Sequence, residues 1–218
     1  MRKLLLTLSF SGIVFITLAQ ETLPSNSCLM FMHAGYGFLP NKTSGLTNSS
    51  AEYINKLSSG TIWNAQAYFR HKIIIVGLLY SGYTAQGNLE NSSDKIITNY
   101  FAPQFGFYFP LAGGKFDMGF NFGVGCMAYR NNSVVFKKDR IVNGCTVGGN
   151  FGIKGAYNIT RNLGISVDIS IIGAELYKTY INYHGEVVKV KYTSGKKDVE
   201  PLNLEQITFS FGLKYSFN

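Results

Sequence analysis

The sequence predicts an all-β chain folded as an eight-stranded, antiparallel, up-and-down transmembrane barrel. Three observations predict it: eight segments with period-two alternation, connections that alternate strictly between short and long, and a polar face nearly empty of lysine and glutamate. The 218 residues suffice for one sizeable domain and are short for two. Charged residues make up 15% of the chain, against about 25% in an ordinary soluble domain. Aromatics also reach 15%, with 24 glycines and a formal net charge of +8.

The first stretch, MRKLLLTLSFSGIVFITLAQ, is set aside as a signal peptide, residues 1–19. Arg2 and Lys3 form a positive start, Leu4 to Leu18 an apolar run, and Thr17 and Ala19 the small residues of a cleavage site. An uncleaved anchor is the alternative, but the run is short for a span. Cys28 follows Ser-Asn-Ser, which is not a lipoprotein box. Cleavage leaves residues 20–218 as the barrel domain. No later segment approaches the roughly 20 apolar residues of a membrane helix. The longest, Ile73 to Tyr80, is strand-length and rich in β-branched residues.

Side chains alternate sides along a strand, so apolar residues at every second position mark a two-faced strand. The first such segment is Met30–Phe38, with Met30, Met32, Ala34, Tyr36 and Phe38 against Phe31, His33, Gly35 and Gly37. The second sets Trp63, Ala65, Ala67 and Phe69 against Asn64, Gln66, Tyr68 and Arg70. Ile74, Val76, Leu78 and Tyr80 carry the third, and Phe101, Phe105, Phe107 and Phe109 the fourth. The fifth, Phe116–Tyr129, alternates bulky apolar groups with mainly Asp, Gly and Asn. Cys145–Tyr157 and Leu163–Ile171 are the sixth and seventh. The last, Gln206–Phe217, is the cleanest: Ile207, Phe209, Phe211, Leu213, Tyr215 and Phe217 on one side only.

Segments two and three are joined by RHK, four and five by PLAGGK, six and seven by NITRN. The other connections are long: Leu39–Gly60, Ala85–Lys95, Arg130–Asn143 and about Lys178–Leu204. In a meander this puts every long loop at one end, and the short turns with both termini at the other, the asymmetry of outer-membrane barrels. A soluble lipocalin-like barrel would instead turn its polar face to water. That face should then carry Lys and Glu throughout. Here it is mainly Gly, Ser, Thr, Asn, Gln and Tyr, with Arg70, Asp117, Lys154, Asp168 and Lys214 as its central charges. The bulky face therefore meets lipid and the small face lines a cramped interior. Ten residues at about 3.3 Å each, tilted about 45°, cover the ~25 Å apolar band. Aromatic girdles are expected from Tyr36, Phe38, Trp63, Tyr80 and Tyr129 at one end, and from Phe69, Phe109, Phe116, Tyr157, Tyr215 and Phe217 at the other.

On the signal peptide, the meander and the aromatic terminal strand, the chain resembles the small outer-membrane β-barrel proteins of Gram-negative bacteria, the group with OmpX-like and OmpA-type transmembrane domains. The resemblance covers residues 20–218. It implies an outer-membrane location with long loops extracellular and both termini periplasmic, and biogenesis through the barrel-assembly machinery. Members usually end on an aromatic residue; here Phe217 is penultimate, before Asn218. The resemblance implies a fold and a place, not an activity.

Two features strain the count of eight. Pro103 removes a ladder donor, so a bulge is expected there. The stretch TYINYHGEVVKVKYT can be a protruding hairpin or two further strands making ten; its short arms favour the hairpin.

His33, Arg70, Asp117, Lys154, Asp168 and Lys214 are expected to form an interior polar network, since buried charges must be paired and eight-stranded barrels fill their interior. The competing reading is a gated pore lined by inward glycines, unless Tyr68, Tyr100 and Tyr108 fill it. Some barrels of this size modify lipid A with a His, a Ser and an acid. Among His33, His71 and His184 no such arrangement is legible, so no enzyme, catalytic residue, cofactor or metal is expected. The basic residues Arg130, Lys137, Lys138, Arg140, Lys178, Lys189, Lys191, Lys196 and Lys197 fall in the third and fourth long connections. They are expected to meet lipopolysaccharide phosphates, or else an extracellular polyanion or protein; nucleic acid is not a partner in that compartment. Cys126 and Cys145 stand nearly symmetrically about the third connection, as a disulfide or as two small apolar residues. The expected role is structural or surface interaction, ahead of small-solute passage and of lipid A modification.

Overall fold

The computed structural model describes residues 26–39, 57–89, 92–135, 138–191 and 201–217; the predicted signal segment, Lys137, Lys196 and Lys197 lie outside them. The strands are β1 (Asn26–Phe38), β2 (Ser59–His71), β3 (Ile74–Leu89), β4 (Ser92–Leu111), β5 (Phe116–Val135), β6 (Lys138–Asn158), β7 (Leu163–Leu176), β8 (Lys178–Tyr183), β9 (Glu186–Lys191), β10 (Leu202–Asn203) and β11 (Gln206–Phe217). Strands β1 to β6 each pair antiparallel with the next; β7 then pairs with β11, and β11 returns to β1. The ring closes at eight strands. Closure gives the strands of the ring partners on both sides, which is what hydrocarbon demands of a spanning sheet.

The two faces separate as the alternation predicts. Val124, Val147 and Phe211 stand 64%, 66% and 58% exposed on the outside, while Ile75 and Lys154 are 0% and 1% exposed inside. Apolar surface has therefore been turned outward, which is favourable only against lipid. The predicted girdle residues Tyr36, Phe38, Trp63, Phe69, Phe116, Tyr157, Tyr215 and Phe217 are outward and exposed. Tyr129 is not: it lies on the inward parity of β5, buried in the lumen.

The second and third long connections are not loops. β3 and β4 run on to Leu89 and Ser92, and β5 and β6 to Val135 and Lys138, still paired residue against residue. Alternation fades there because polar and apolar residues fall on both faces, as with inward Ile96 beside outward Ile97, so pairing leaves no period-two trace in the sequence. Pro103 makes no bulge either. Phe101 faces Cys126 and Gln104 faces Gly123, with two residues between them on each strand; the ladder to β5 drops those two pairs and resumes in register.

A bulge occurs elsewhere. Gly148 faces Ala174 and Asn143 faces Tyr180, so five steps along β6 match six along β7–β8. Tyr177 and Lys178 are both exposed, and the inward parity passes from even residues (Ala174, Leu176) to odd ones (Thr179). Beyond the bulge, β8 and β9 form a hairpin riding on β6. Its turn, His184 (φ 52°) and Gly185 (φ 92°), has the two positive φ angles of a type I′ turn.

Candidate functional site

The lumen is packed. Leu29, Phe31, Tyr68, Ile75 and Tyr108 form an apolar cluster in the turn-end half. A larger one, including Tyr83, Tyr100, Met127, Ile172, Leu176 and Leu204, fills the other half. The inward glycines leave little empty space beside them. A Cβ at Gly119 would sit 2.7 Å from the Tyr108 ring and 3.1 Å from the Lys154 stem, and one at Gly123 2.3 Å from the Gln104 amide.

All six predicted network residues point inward and are buried, but they fall into two groups. Near the turns, one carboxylate oxygen of Asp117 accepts from Lys214 Nζ, from Tyr108 Oη at 3.0 Å and from Asn158 Nδ2 at 2.7 Å. Lys214 also donates to Asn158 Oδ1 at 2.8 Å. Both Arg70 and Lys214 lie over the Tyr108 ring, 5.9 and 5.4 Å from its centroid.

The second group is built differently. Lys154 and Asp168 are directly opposite in the β6–β7 register, yet the Gln66 amide joins them in place of an ion pair. Lys154 Nζ donates to Gln66 Oε1, and Gln66 Nε2 donates to Asp168 Oδ2 at 3.3 Å. Lys154 also donates to Tyr68 Oη at 2.9 Å and lies 4.9 Å from the Phe31 ring centroid. His33 Nε2 meets Ser166 Oγ at 2.7 Å. Serine, histidine and acid thus share one region of the lumen, but not as a relay. Nδ1 of His33 has no hydrogen-bond partner among the described residues, whereas acyl transfer needs the acid on that nitrogen. His71 pairs instead with Asn26 on the surface, and His184 forms the hairpin turn.

Between this group and the larger apolar cluster lies a neutral layer. Gln104 Oε1 accepts from Asn121 and Asn150, at 2.8 and 3.0 Å, and Asn150 Oδ1 accepts from Tyr100 at 3.0 Å. Gln66, Gln104, Asn121, Asn150 and Ser166 were not expected in the network. Their inward parity was the available signal.

Of the two readings of Cys126 and Cys145, a disulfide or two small apolar residues, the structure has the second. Cys126 faces Val147 and Cys145 faces Ala128, so the two are offset along the ladder, and both are free, outward thiols.

The basic residues are sorted by parity rather than by loop. Arg140 points inward: its Nη2 is 3.7 Å from Asp94 Oδ1, and its Nε donates to Ser133 Oγ at 2.8 Å. Lys138 lies 6.0 Å over Tyr183. Arg130, Lys178, Lys189 and Lys191 are exposed on the outer wall, and Lys95, missed as a strand-boundary residue, joins them. On the hairpin, Lys178 is directly opposite Lys191, and Lys189 lies 5.6 Å over the Tyr180 ring.

A closed, eight-stranded barrel with a packed lumen, an apolar outer wall and a cationic extension at one end is a transmembrane β-barrel of the outer-membrane kind. A solved structure agrees on the fold. A major outer membrane protein from Thermus thermophilus is 12% identical over 88% of this chain and 99% of its own, with a TM-score of 0.55. The outer membrane protease OmpT of Escherichia coli (10% identity, 90% and 99% coverage, TM-score 0.49) and Neisserial surface protein A (13%, 89% and 99%, 0.46) are further similar structures. No family profile and no curated protein matches the chain.

Proposed function

We propose that the chain is an outer-membrane barrel that works by surface contact, its cationic extension facing outward from the cell and meeting phosphate groups of lipopolysaccharide. On this reading both termini are periplasmic, and the aromatic end of β11 is what the barrel-assembly machinery reads. One observation carries the reading: Lys178 and Lys191 stand directly opposite each other on an exposed sheet, with Lys189 two residues along. Like charges in that relation are unfavourable, and an anion bound across them removes the cost. The packed lumen supports contact over solute passage.

Two measurements test it. Retention of lipopolysaccharide by the purified barrel should fall with rising salt and in K178Q/K189Q/K191Q. In planar bilayers the folded barrel should be silent; discrete, reproducible openings would overturn the contact reading in favour of a pore.

A further inference from the structure

The outer wall carries a second cationic feature, a groove that borders the hairpin where Ile141 of β6 pairs with Asn182 of β8. Its volume is about 340 Å³, and Ser93 and Lys95 of β4, Arg130 and Asn132 of β5, and Asp139 of β6 contribute to its lining. Lys95 is directly opposite Asn132 and therefore diagonal to Arg130, a relation that puts their Cβ atoms about 7 Å apart. Arg130 Nε donates to Asn132 Oδ1 at 2.8 Å, which fixes the guanidinium and leaves its terminal N–H groups unused by that bond. Lys95 makes no hydrogen bond or ion pair among the described residues, and Asp139 is the one acid of the lining.

The height of the groove selects the ligand. Ile97 is the last outward apolar residue of β4, and Lys95 is two residues further on. That is about 7 Å along the strand and roughly 5 Å in height at a 45° tilt, within the polar layer just above the hydrocarbon. A groove on the outside of the wall at that height faces neighbouring headgroups rather than open solvent.

Resting on the surface-contact reading above, we propose that Lys95 and Arg130 form a binding site for one lipid-borne phosphate of the outer leaflet, with the Asn132 amide holding the guanidinium in place. Two positive groups flanking one pocket match a phosphate's spread of oxygens, and the guanidinium offers the paired N–H geometry that phosphate accepts.

The test is native mass spectrometry of the full barrel with bisphosphorylated lipid A, its phosphatase-treated product, and inorganic phosphate as competitor. The bisphosphorylated lipid should be retained and the phosphatase product lost. K95Q/R130Q should weaken retention more than about tenfold, since one charged hydrogen bond alone is worth that much and two are lost. D139N should strengthen it. These positions are exposed, and heat-modifiable migration of each variant confirms folding. Equal retention by the parent and K95Q/R130Q would overturn the site. If K178Q/K189Q/K191Q weakens retention and K95Q/R130Q does not, the groove is wrong and the hairpin reading stands; if neither does, both fall. Displacement by millimolar inorganic phosphate would overturn the lipid-borne source.

Discussion

The two charge groups inside the barrel contain similar residues and solve burial differently. At the turn end, Asp117 holds Lys214 directly and gathers three donors on one oxygen. In the middle, Lys154 and Asp168 are opposite in register but are joined only through Gln66. Register places residues on one level; it does not decide whether they touch. What decides is the side chain that occupies the space between, and a neutral amide can serve two opposite charges at once because it carries a donor and an acceptor.

The contrast can be broken by substitution, with urea-unfolding midpoints of the refolded barrel as the readout. Asp117→Ala should have the largest effect, about 3–5 kcal/mol, because it strands the buried Lys214 ammonium beside Arg70. Gln66→Leu comes next, about 2–3 kcal/mol, since it removes a partner from both Lys154 and Asp168. Lys154→Met keeps the volume and leaves Asp168 its bond from Gln66, so roughly 1–2 kcal/mol is expected. A cost equal to that of Asp117→Ala would show that Lys154 and Asp168 act as a direct pair and would end the distinction. Arg140→Gln is the smallest, under about 1 kcal/mol, because its side chain is 33% exposed and its 3.7 Å pairing with Asp94 is screened by water.

The membrane-facing part of this fold was legible because lipid enforces alternation: each outward position of β11 is apolar, and the strand is found where predicted. Beyond the lipid band that constraint ends. The paired continuations of β3 to β6 look like loops in the sequence because water accepts either face. Tyr129 reads as a girdle residue from its position along β5, but its odd parity turns it into the lumen. The network residues were found by charge, while Gln66, Gln104 and Asn150, neutral and equally buried, offered no charge to notice. Pro103 invited a bulge and the ladder absorbed it, whereas the real bulge at Tyr177 carries no proline or glycine to announce it.

That bulge also has an architectural consequence. One additional residue at Tyr177 rotates everything after it by half a turn of the strand, so Lys178 and Tyr180 look away from the barrel axis rather than into it. Removing that residue would turn the hairpin inside out without altering a single contact of the lower wall. The barrel and its appendage are thus separable in evolutionary terms. A lineage can re-aim or exchange the surface module by a one-codon insertion or deletion, while the part that must satisfy the bilayer stays the same.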